Sequence, residues 1–323
     1  MTTRSGQYAR HLTLLILAGL SLLAAGCQTL TRDRSPVAHE LTTWEFGPYE
    51  GRRMTTEHYE ICTTVTDPVL LETFPQLIER AYARYQELVP PARQPAERMQ
   101  VYLFQTRAQW VYMTRRLTGP RAETFLKIRN GGYSEGGISV IQYVSHAVTF
   151  PLLTHEGFHQ YLYHCVHPAV PAWLNEGLAV VCEGQRWTGS GLKQFDEAYN
   201  PVRRNLLAQA VARNRLYSLQ ELLDTHAGKV VHETSTRVGT YYAQVWALML
   251  FMWRGEYADD FARLRAALAE PDFEQRLRAE QALSDKPEIS RGEALFRSFI
   301  TDDLTTFERR YIAFLRRELL NER

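Results

Sequence analysis

The stretch THEGFHQYL, residues 154–162, constrains the fold of this chain most, because two histidines and a glutamate interrupt an otherwise apolar segment. Apolar residues recur at helical spacing over 150–166, which predicts a buried helix. Residues four apart share one helix face, with Cβ atoms about 5–6 Å apart. His155 and His159 can therefore bind one ion, provided that both imidazoles are neutral. Glu156 projects beside that ion, where its carboxylate can take a proton from bound water.

A catalytic zinc site normally has a third protein ligand and one position left open for water. The metzincin pattern requires glycine and histidine where this chain has Leu162 and Cys165, so that pattern fails. The other class of site takes a glutamate from the next helix, and the segment PAWLNEGLA, residues 171–179, supplies Glu176. A helix ending near residue 165, a short turn and an antiparallel return would place Glu176 opposite His159. The sequence thus predicts one Zn²⁺ per chain, bound by His155, His159 and Glu176.

Residues 1–26 have the pattern of an export signal. A basic start precedes an apolar run over 12–25, which is shorter than the roughly 20 residues of a membrane span. The run ends in Ala-Ala-Gly-Cys, which resembles a bacterial lipobox. We expect 1–26 to be a lipoprotein signal peptide, Cys27 to carry the lipid that anchors the chain to the membrane, and 27–50 to be a tether. The expected location is the bacterial cell envelope, on the periplasmic face or the outer surface. A plain signal peptide with an incidental cysteine is the alternative.

Strand and helix signals alternate from residue 51 onward, and helical patterns dominate after residue 200. We expect an α+β fold, with a small mixed sheet and helices in an N-terminal lobe, 51–167, and a mainly helical lobe, 168–323. The active-site cleft would lie between the lobes, with the two histidines in the first lobe and Glu176 in the second. The individual predictions are strands at 58–65, 98–105 and 130–144, and helices at 69–89, 108–117, 150–166 and 171–184, with Pro75 marking a break or a start in the first helix.

The composition limits the size of the domain and the kinds of partner that we expect the chain to bind. The chain has 323 residues, of which 45% are hydrophobic, enough for one large or two-lobed domain. Its 37 basic and 36 acidic residues nearly cancel, which gives no electrostatic footprint for nucleic acid. We expect no nucleic-acid partner, and we expect the protein to be a monomer.

The predicted helical hairpin would separate Cys165 and Cys182 by about 18 Å along the helix axis. A disulfide needs Cα atoms within about 7 Å, so we expect no bridge between them.

The two motifs HEGFH and WLNEGLA together resemble the gluzincin metallopeptidases, and the second is especially similar to the zinc aminopeptidase branch. A broader likeness over 55–320 resembles exported peptidase-MA-like proteins of bacteria. The resemblance implies a gluzincin-like fold and zinc-dependent hydrolysis of a peptide or protein substrate, with Glu156 as the general base.

The resemblance also implies two further sets of site residues. The aminopeptidase branch uses a downstream tyrosine to stabilise the carbonyl oxygen, and in GTYYAQVW the better match is Tyr242 rather than Tyr241. A tyrosine that only packs is the alternative. Gluzincins place an edge strand before the zinc helix, where this chain has GISVIQ, residues 137–142. An extended peptide could add a strand there, although an ordinary sheet strand is an equal alternative. The candidate substrate-binding residues are Gly137, Ile138 and Ser139.

The departures from the aminopeptidase branch favour an endopeptidase. That branch carries a Gly-x-Met-Glu-Asn motif whose glutamate binds the free amine of the substrate, and the comparable stretch here is GGYSEGG, which contains Glu135. The 16 residues between His159 and Glu176 are also fewer than that branch usually has. The residues that orient the histidines cannot be read from the sequence, and the position one turn after Glu176, where some gluzincins keep an aspartate, is Val180. Two alternatives stay open: an aminopeptidase with atypical amine recognition, and a zinc-binding envelope scaffold without catalytic activity.

Overall fold

The computed structural model describes residues 39–129, 131–166, 170–189, 191–225, 234–283 and 289–321. The predicted signal peptide and the lipidation site Cys27 lie outside the described residues. Within the described ranges, no helix is long and apolar enough to cross a bilayer. One large core cluster contains side chains from both predicted lobes, and a second, smaller cluster is built from residues of the N-terminal part alone.

The N-terminal part of the chain forms a six-stranded mixed sheet with the order β1-β2-β3-β4-β6-β5. β3, β4 and β6 run parallel to one another, whereas β1–β2, β2–β3 and β5–β6 are antiparallel pairs. The strands are β1 (Glu40–Phe46), β2 (Tyr49–Thr55), β3 (Tyr59–Thr63), β4 (Met99–Phe104), β5 (Gly132–Glu135) and β6 (Ile138–Gln142).

The first two strands correct the predicted end of the tether. β1 begins at Glu40 and β2 at Tyr49, both inside the segment 27–50 that the sequence predicted as a tether. Trp44 and Phe46 of β1 are buried, and their rings stack with centroids 4.3 Å apart. Two apolar residues on one face are enough to hold a half-buried strand, but they leave little periodicity in the sequence.

The position of β6 decides between the two alternatives for 137–142 in favour of an ordinary sheet strand. β6 pairs with β4 on one side and with β5 on the other, so both of its hydrogen-bonding edges are occupied. Gly136 and Gly137, with φ of +58° and +78°, form the two-residue turn that joins β5 to β6. The edge of the sheet on this side is β5, and the opposite edge is β1. Gly137, Ile138 and Ser139 therefore do not offer a free backbone edge to a peptide.

Helix α1 (Pro68–Leu88) runs through Pro75, where the sequence predicted a break or a start. The helix begins after Asp67, whose carboxylate accepts a hydrogen bond from the Leu70 backbone N–H at 3.1 Å. A proline inside a helix removes one backbone hydrogen bond, but buried apolar residues on both sides of Pro75 keep the helix against the core. The next helices are α2 (Arg107–Thr118) and the short α3 (Ala122–Phe125).

Helices α4 (His146–Cys165) and α5 (Ala172–Cys182) form the predicted hairpin. The Thr154 hydroxyl donates a hydrogen bond to the Cys182 carbonyl at 2.8 Å, and His159, further along α4, contacts Asn175 near the start of α5. These two contacts show that the helices run antiparallel. Cys62, Cys165 and Cys182 are buried free thiols.

Helices make up most of the remaining chain, which confirms the predicted α+β class with a sheet in the N-terminal part and a mainly helical C-terminal part. The hairpin of β7 (Gln185–Thr188) and β8 (Gly191–Phe195) was not predicted from the sequence. The helices are α6 (Pro201–Ala212), α7 (Leu219–Asp224), α8 (Ser235–Trp253), α9 (Ala258–Ala267), α10 (Phe273–Leu283), α11 (Arg291–Phe299) and α12 (Leu304–Phe314), which continues as a π-helical turn at Leu315–Leu319.

Gly157 allows α4 to approach α1 closely, and this contact gives a test of the packing. A Cβ atom at position 157 would lie 2.6 Å from the Tyr85 hydroxyl oxygen, which donates to the Thr154 carbonyl at 2.7 Å. We expect overpacking in Gly157→Ala to lower the free energy of unfolding by about 1–3 kcal/mol. This loss outweighs the roughly 1 kcal/mol by which alanine is more favourable than glycine inside a helix. In a Tyr85→Phe background the nearest atom would be the ring carbon at 3.4 Å. There the same substitution should stabilise the protein.

Chemical denaturation of the two single variants and the double variant measures this change of sign. Equal effects of Gly157→Ala in both backgrounds would contradict the close contact.

Candidate metal centre

Three side chains from the α4–α5 hairpin converge on one point. The Oε2 atom of Glu176 lies 3.4 Å from His155 Nε2 and 3.5 Å from His159 Nε2. All three ligand atoms lie within 4.8 Å of one another, and no other such group of three occurs among the described residues. The two imidazole rings are nearly perpendicular, at 83°, with centroids 4.9 Å apart. The structure thus contains one possible metal-binding triad.

The carboxylate of Glu176 shows that the triad fits a cation. Its Oε2 atom is buried and has no hydrogen-bond partner of acceptable geometry, a costly arrangement for a charged oxygen. Ligands at about 2.0–2.1 Å from a tetrahedral zinc ion lie about 3.3–3.4 Å from each other. The separations of 3.4 and 3.5 Å match that value. Two imidazole nitrogens and one carboxylate oxygen are also a donor set that zinc accepts in proteins.

A second ring of contacts orients the two imidazoles. The Nδ1 atom of His155 lies 3.0 Å from a carboxylate oxygen of Glu183, and the Nδ1 atom of His159 lies 2.7 Å from the amide oxygen of Asn175. An oxygen acceptor at Nδ1 favours the tautomer that carries its proton there. The Nε2 lone pairs are then free to face a metal ion.

Glu183 is itself fixed by residues from α6. The Arg203 guanidinium donates to both of its carboxylate oxygens, at 2.7 and 3.0 Å, and the Asn200 amide donates at 2.8 Å. Asn200 also caps α6, because its side chain accepts a hydrogen bond from the Arg203 backbone N–H. The buried Glu183 carboxylate is thus fully paired and holds His155 rigidly.

Sequence reasoning missed four of these residues. Asn175 immediately precedes the glutamate ligand, and Glu183 follows it by two helical turns on the same face of α5. Their spacing from Glu176 could therefore have predicted that both lie near the site. The position one turn after Glu176 is Val180, which is buried in the core. No sequence pattern could have predicted Asn200 and Arg203, because only the tertiary fold brings α6 beside the hairpin.

Charge in the site favours a bound cation. Burial lowers the pKa of His155, but the neighbouring carboxylates of Glu176 and Glu183 outweigh it and raise the pKa to about 10. Burial raises the pKa of Glu176, but the charges of the two histidines outweigh it and hold the pKa well below its ordinary value. The pKa of Glu183 falls to about 2, because the Arg203 charge outweighs burial. The imidazoles thus sit where positive charge is stabilised.

Glu156 is buried beside the triad, one residue after the first histidine. Burial raises the pKa of its carboxyl above the ordinary value, against the opposing charges of His155 and His159. The Ser139 hydroxyl donates to the Glu156 backbone carbonyl at 3.4 Å. Ser139, predicted to bind substrate, is therefore a buried contact between β6 and α4.

The two neighbouring tyrosines of α8 have different surroundings. The Tyr242 ring lies 5.9 Å from the His155 ring and 5.1 Å from the Arg203 guanidinium. Tyr241 is fully buried and packs against Tyr217, with ring centroids 6.1 Å apart. Tyr242 is thus the tyrosine beside the metal triad. Burial, with help from nearby carboxylates, raises the pKa of Tyr242 well above its ordinary value, so its hydroxyl stays protonated at neutral pH.

The contact between Glu183 and His155 predicts graded effects on metal affinity. We expect Glu176→Ala to abolish stoichiometric Zn²⁺ binding. Glu183→Gln should weaken Zn²⁺ binding about 10- to 100-fold, the usual effect of losing a partner that orients a ligand. Glu87→Gln, at an exposed position far along α1, is the matched control and should bind like the original chain. Competition titration with a zinc chelator measures all three, and an unchanged affinity in Glu176→Ala would remove that ligand.

The raised pKa of His155 predicts that metal binding releases protons. At pH 7 a group with a pKa of about 10 carries a proton, which the metal must displace. The apparent Zn²⁺ affinity should therefore rise about tenfold per pH unit for each proton released, and fall as the pH falls. Calorimetry at pH 7 in buffers of different ionisation enthalpy counts the protons. Binding without proton release would contradict this electrostatic description.

Comparison with known proteins gives one family match. Residues 150–272 match the family described as "Protein of unknown function (DUF1570)". No curated protein and no solved structure matches the chain. The matched range includes the metal triad, Glu156, Glu183, Arg203 and Tyr242, so the residues of the site lie within one region shared with that family.

Proposed function

We propose that the protein is a zinc-dependent peptidase whose active site is the His155, His159 and Glu176 triad with Glu156 as general base. The observation that carries this proposal is the buried Oε2 atom of Glu176, which has no hydrogen bond of good geometry and lies 3.4 and 3.5 Å from two imidazole nitrogens. The buried carboxyl of Glu156 beside it supplies the base that hydrolysis needs.

The residues around the triad support a division of roles. Bound zinc would polarise the scissile carbonyl and lower the pKa of a water molecule toward neutrality. Glu156 accepts a proton from the attacking water and passes it to the leaving amine, and its raised pKa suits both steps. The protonated Tyr242 hydroxyl donates a hydrogen bond to the carbonyl oxygen as negative charge develops there. Glu183 and Asn175 keep the two imidazoles oriented.

The free edge of β5 is the route by which a peptide would enter. Because the Gln142 N–H donates to the Gly131 carbonyl, the alternation of an antiparallel pair directs the backbone groups of Gly132 and Ser134 outward. An extended peptide can pair with such an edge. This strand takes the place of the segment 137–142 that the sequence had suggested.

The surroundings of Glu135 favour an endopeptidase over an aminopeptidase. Glu135, at the end of β5, forms an ion pair with Arg121, so a substrate amine would have to compete with that guanidinium for the carboxylate. The non-catalytic scaffold is less well supported, because a scaffold has no use for the buried Glu156 carboxyl, whose desolvation is costly. We further propose that the peptidase is anchored in the bacterial cell envelope through lipid on Cys27.

The division of roles predicts distinct kinetic effects. Glu156→Gln should keep one Zn²⁺ per chain and lower kcat at least about 100-fold, because the general base is lost. Tyr242→Phe should lower kcat about 10- to 1,000-fold with little change in KM, because the hydroxyl acts on the transition state. Tyr241→Phe is the matched control and should change kcat less than about twofold. The assay uses internally quenched peptides blocked at both ends.

Two outcomes would contradict the proposal. Cleavage only of peptides with a free amino terminus would favour the aminopeptidase. No cleavage of a diverse peptide library by the zinc-loaded protein would favour the scaffold.

A further inference from the structure

One face of α4 extends beyond the metal triad in both directions. Intervals of four, three, four and four residues keep five positions on a single stripe. Val148 is 45% exposed and Tyr163 is 43% exposed, while Leu152 is half-buried. The stripe has no charged carboxylate or basic side chain apart from the two imidazoles. Its members in order are Val148, Leu152, His155, His159 and Tyr163.

Strand β5 runs beside the same part of α4. A Cβ atom on Gly131, just before β5, would lie 3.8 Å from Leu152 Cδ2, and one on Gly137, just after it, would lie 2.6 Å from Tyr163 Cδ1. The strand thus runs in the same direction as α4, from the level of Leu152 to the level of Tyr163. The outer edge of β5 and the apolar stripe thus run side by side, with the histidines midway, and the surface between them is called the groove below.

We propose that this groove selects extended peptides with apolar side chains on both sides of the scissile bond. The proposal rests on the proposed function and names its substrate class. Antiparallel pairing, the more stable arrangement, makes the peptide run opposite to β5. Residues before the scissile bond then lie toward Tyr163, and residues after it lie toward Leu152 and Val148.

The dimensions of a helix and of an extended strand predict which residues of the peptide each groove residue contacts. The midpoint between the histidines is Gly157, and α4 rises about 1.5 Å per residue. Leu152 is then about 8 Å from the midpoint, Tyr163 about 9 Å and Val148 about 13 Å. An extended peptide advances about 3.3 Å per residue. Leu152 therefore contacts the second or third residue after the scissile bond, Val148 the fourth, and Tyr163 the third residue before it.

Selection of peptides tests this assignment without requiring turnover. The zinc-loaded Glu156→Gln protein keeps the groove and is challenged with a random dodecapeptide library, alone and with Val148→Lys or Tyr163→Lys added. Leu117→Lys, at an exposed apolar position on α2, is the matched control. The protein with an unchanged groove should select peptides that are enriched in apolar residues on both sides of the scissile bond. Each groove variant should weaken binding of a selected peptide at least about tenfold, while the control leaves it unchanged.

The side of the scissile bond on which the apolar preference is lost is the sharper readout. Cleavage of the selected peptides by the zinc-loaded original chain locates the scissile bond. Val148→Lys should then lose the apolar preference after that bond, and Tyr163→Lys the preference before it. Failure to bind any peptide, or an apolar preference that both variants leave intact, would overturn the inference. Selected apolar peptides that bind but are never cleaved would instead overturn the proposed peptidase function and leave the groove assignment standing.

Discussion

The site depends on one buried carboxylate oxygen that has no hydrogen bond of good geometry. Glu176 Oε2 faces two imidazole nitrogens at separations typical of ligands around a shared ion and too long for good hydrogen bonds. Burying an anionic oxygen in this way is costly, and the part of the chain that the structure describes supplies no further donor to it. The hairpin of α4 and α5, and the close packing that Gly157 permits between α4 and α1, hold the three donors at this spacing.

The contacts around the triad make the arrangement rigid. Each imidazole has one nitrogen close to an oxygen acceptor, from Glu183 or from Asn175, so that the other nitrogen faces the centre of the triad. Arg203 neutralises Glu183, whereas no arginine or lysine pairs with Glu156 or Glu176 among the described residues. A divalent cation at the triad would balance these two carboxylates. The same network places Tyr242 beside His155, because the Arg203 guanidinium lies between Glu183 and the Tyr242 ring.

Local patterns in the sequence were sufficient for the core of the site and for the fold class. His155 and His159 lie on one helix face by spacing alone, and the short link to the next helix brings Glu176 opposite them. The errors arose where tertiary pairing decides the outcome. The strand at 137–142 has neighbours on both sides because the four-residue β5, which reads as a glycine-rich turn, forms the edge. Arg203 and Asn200 reach Glu183 only through the fold, and Pro75 stays helical because its neighbours are buried.

Diffraction at the zinc absorption edge, from crystals of the zinc-loaded protein, is the decisive test of the metal triad. We expect one anomalous peak per chain, about 2.0–2.2 Å from His155 Nε2, His159 Nε2 and a carboxylate oxygen of Glu176. A peak at any other set of side chains, or no peak between these three when zinc is supplied in excess, would contradict it.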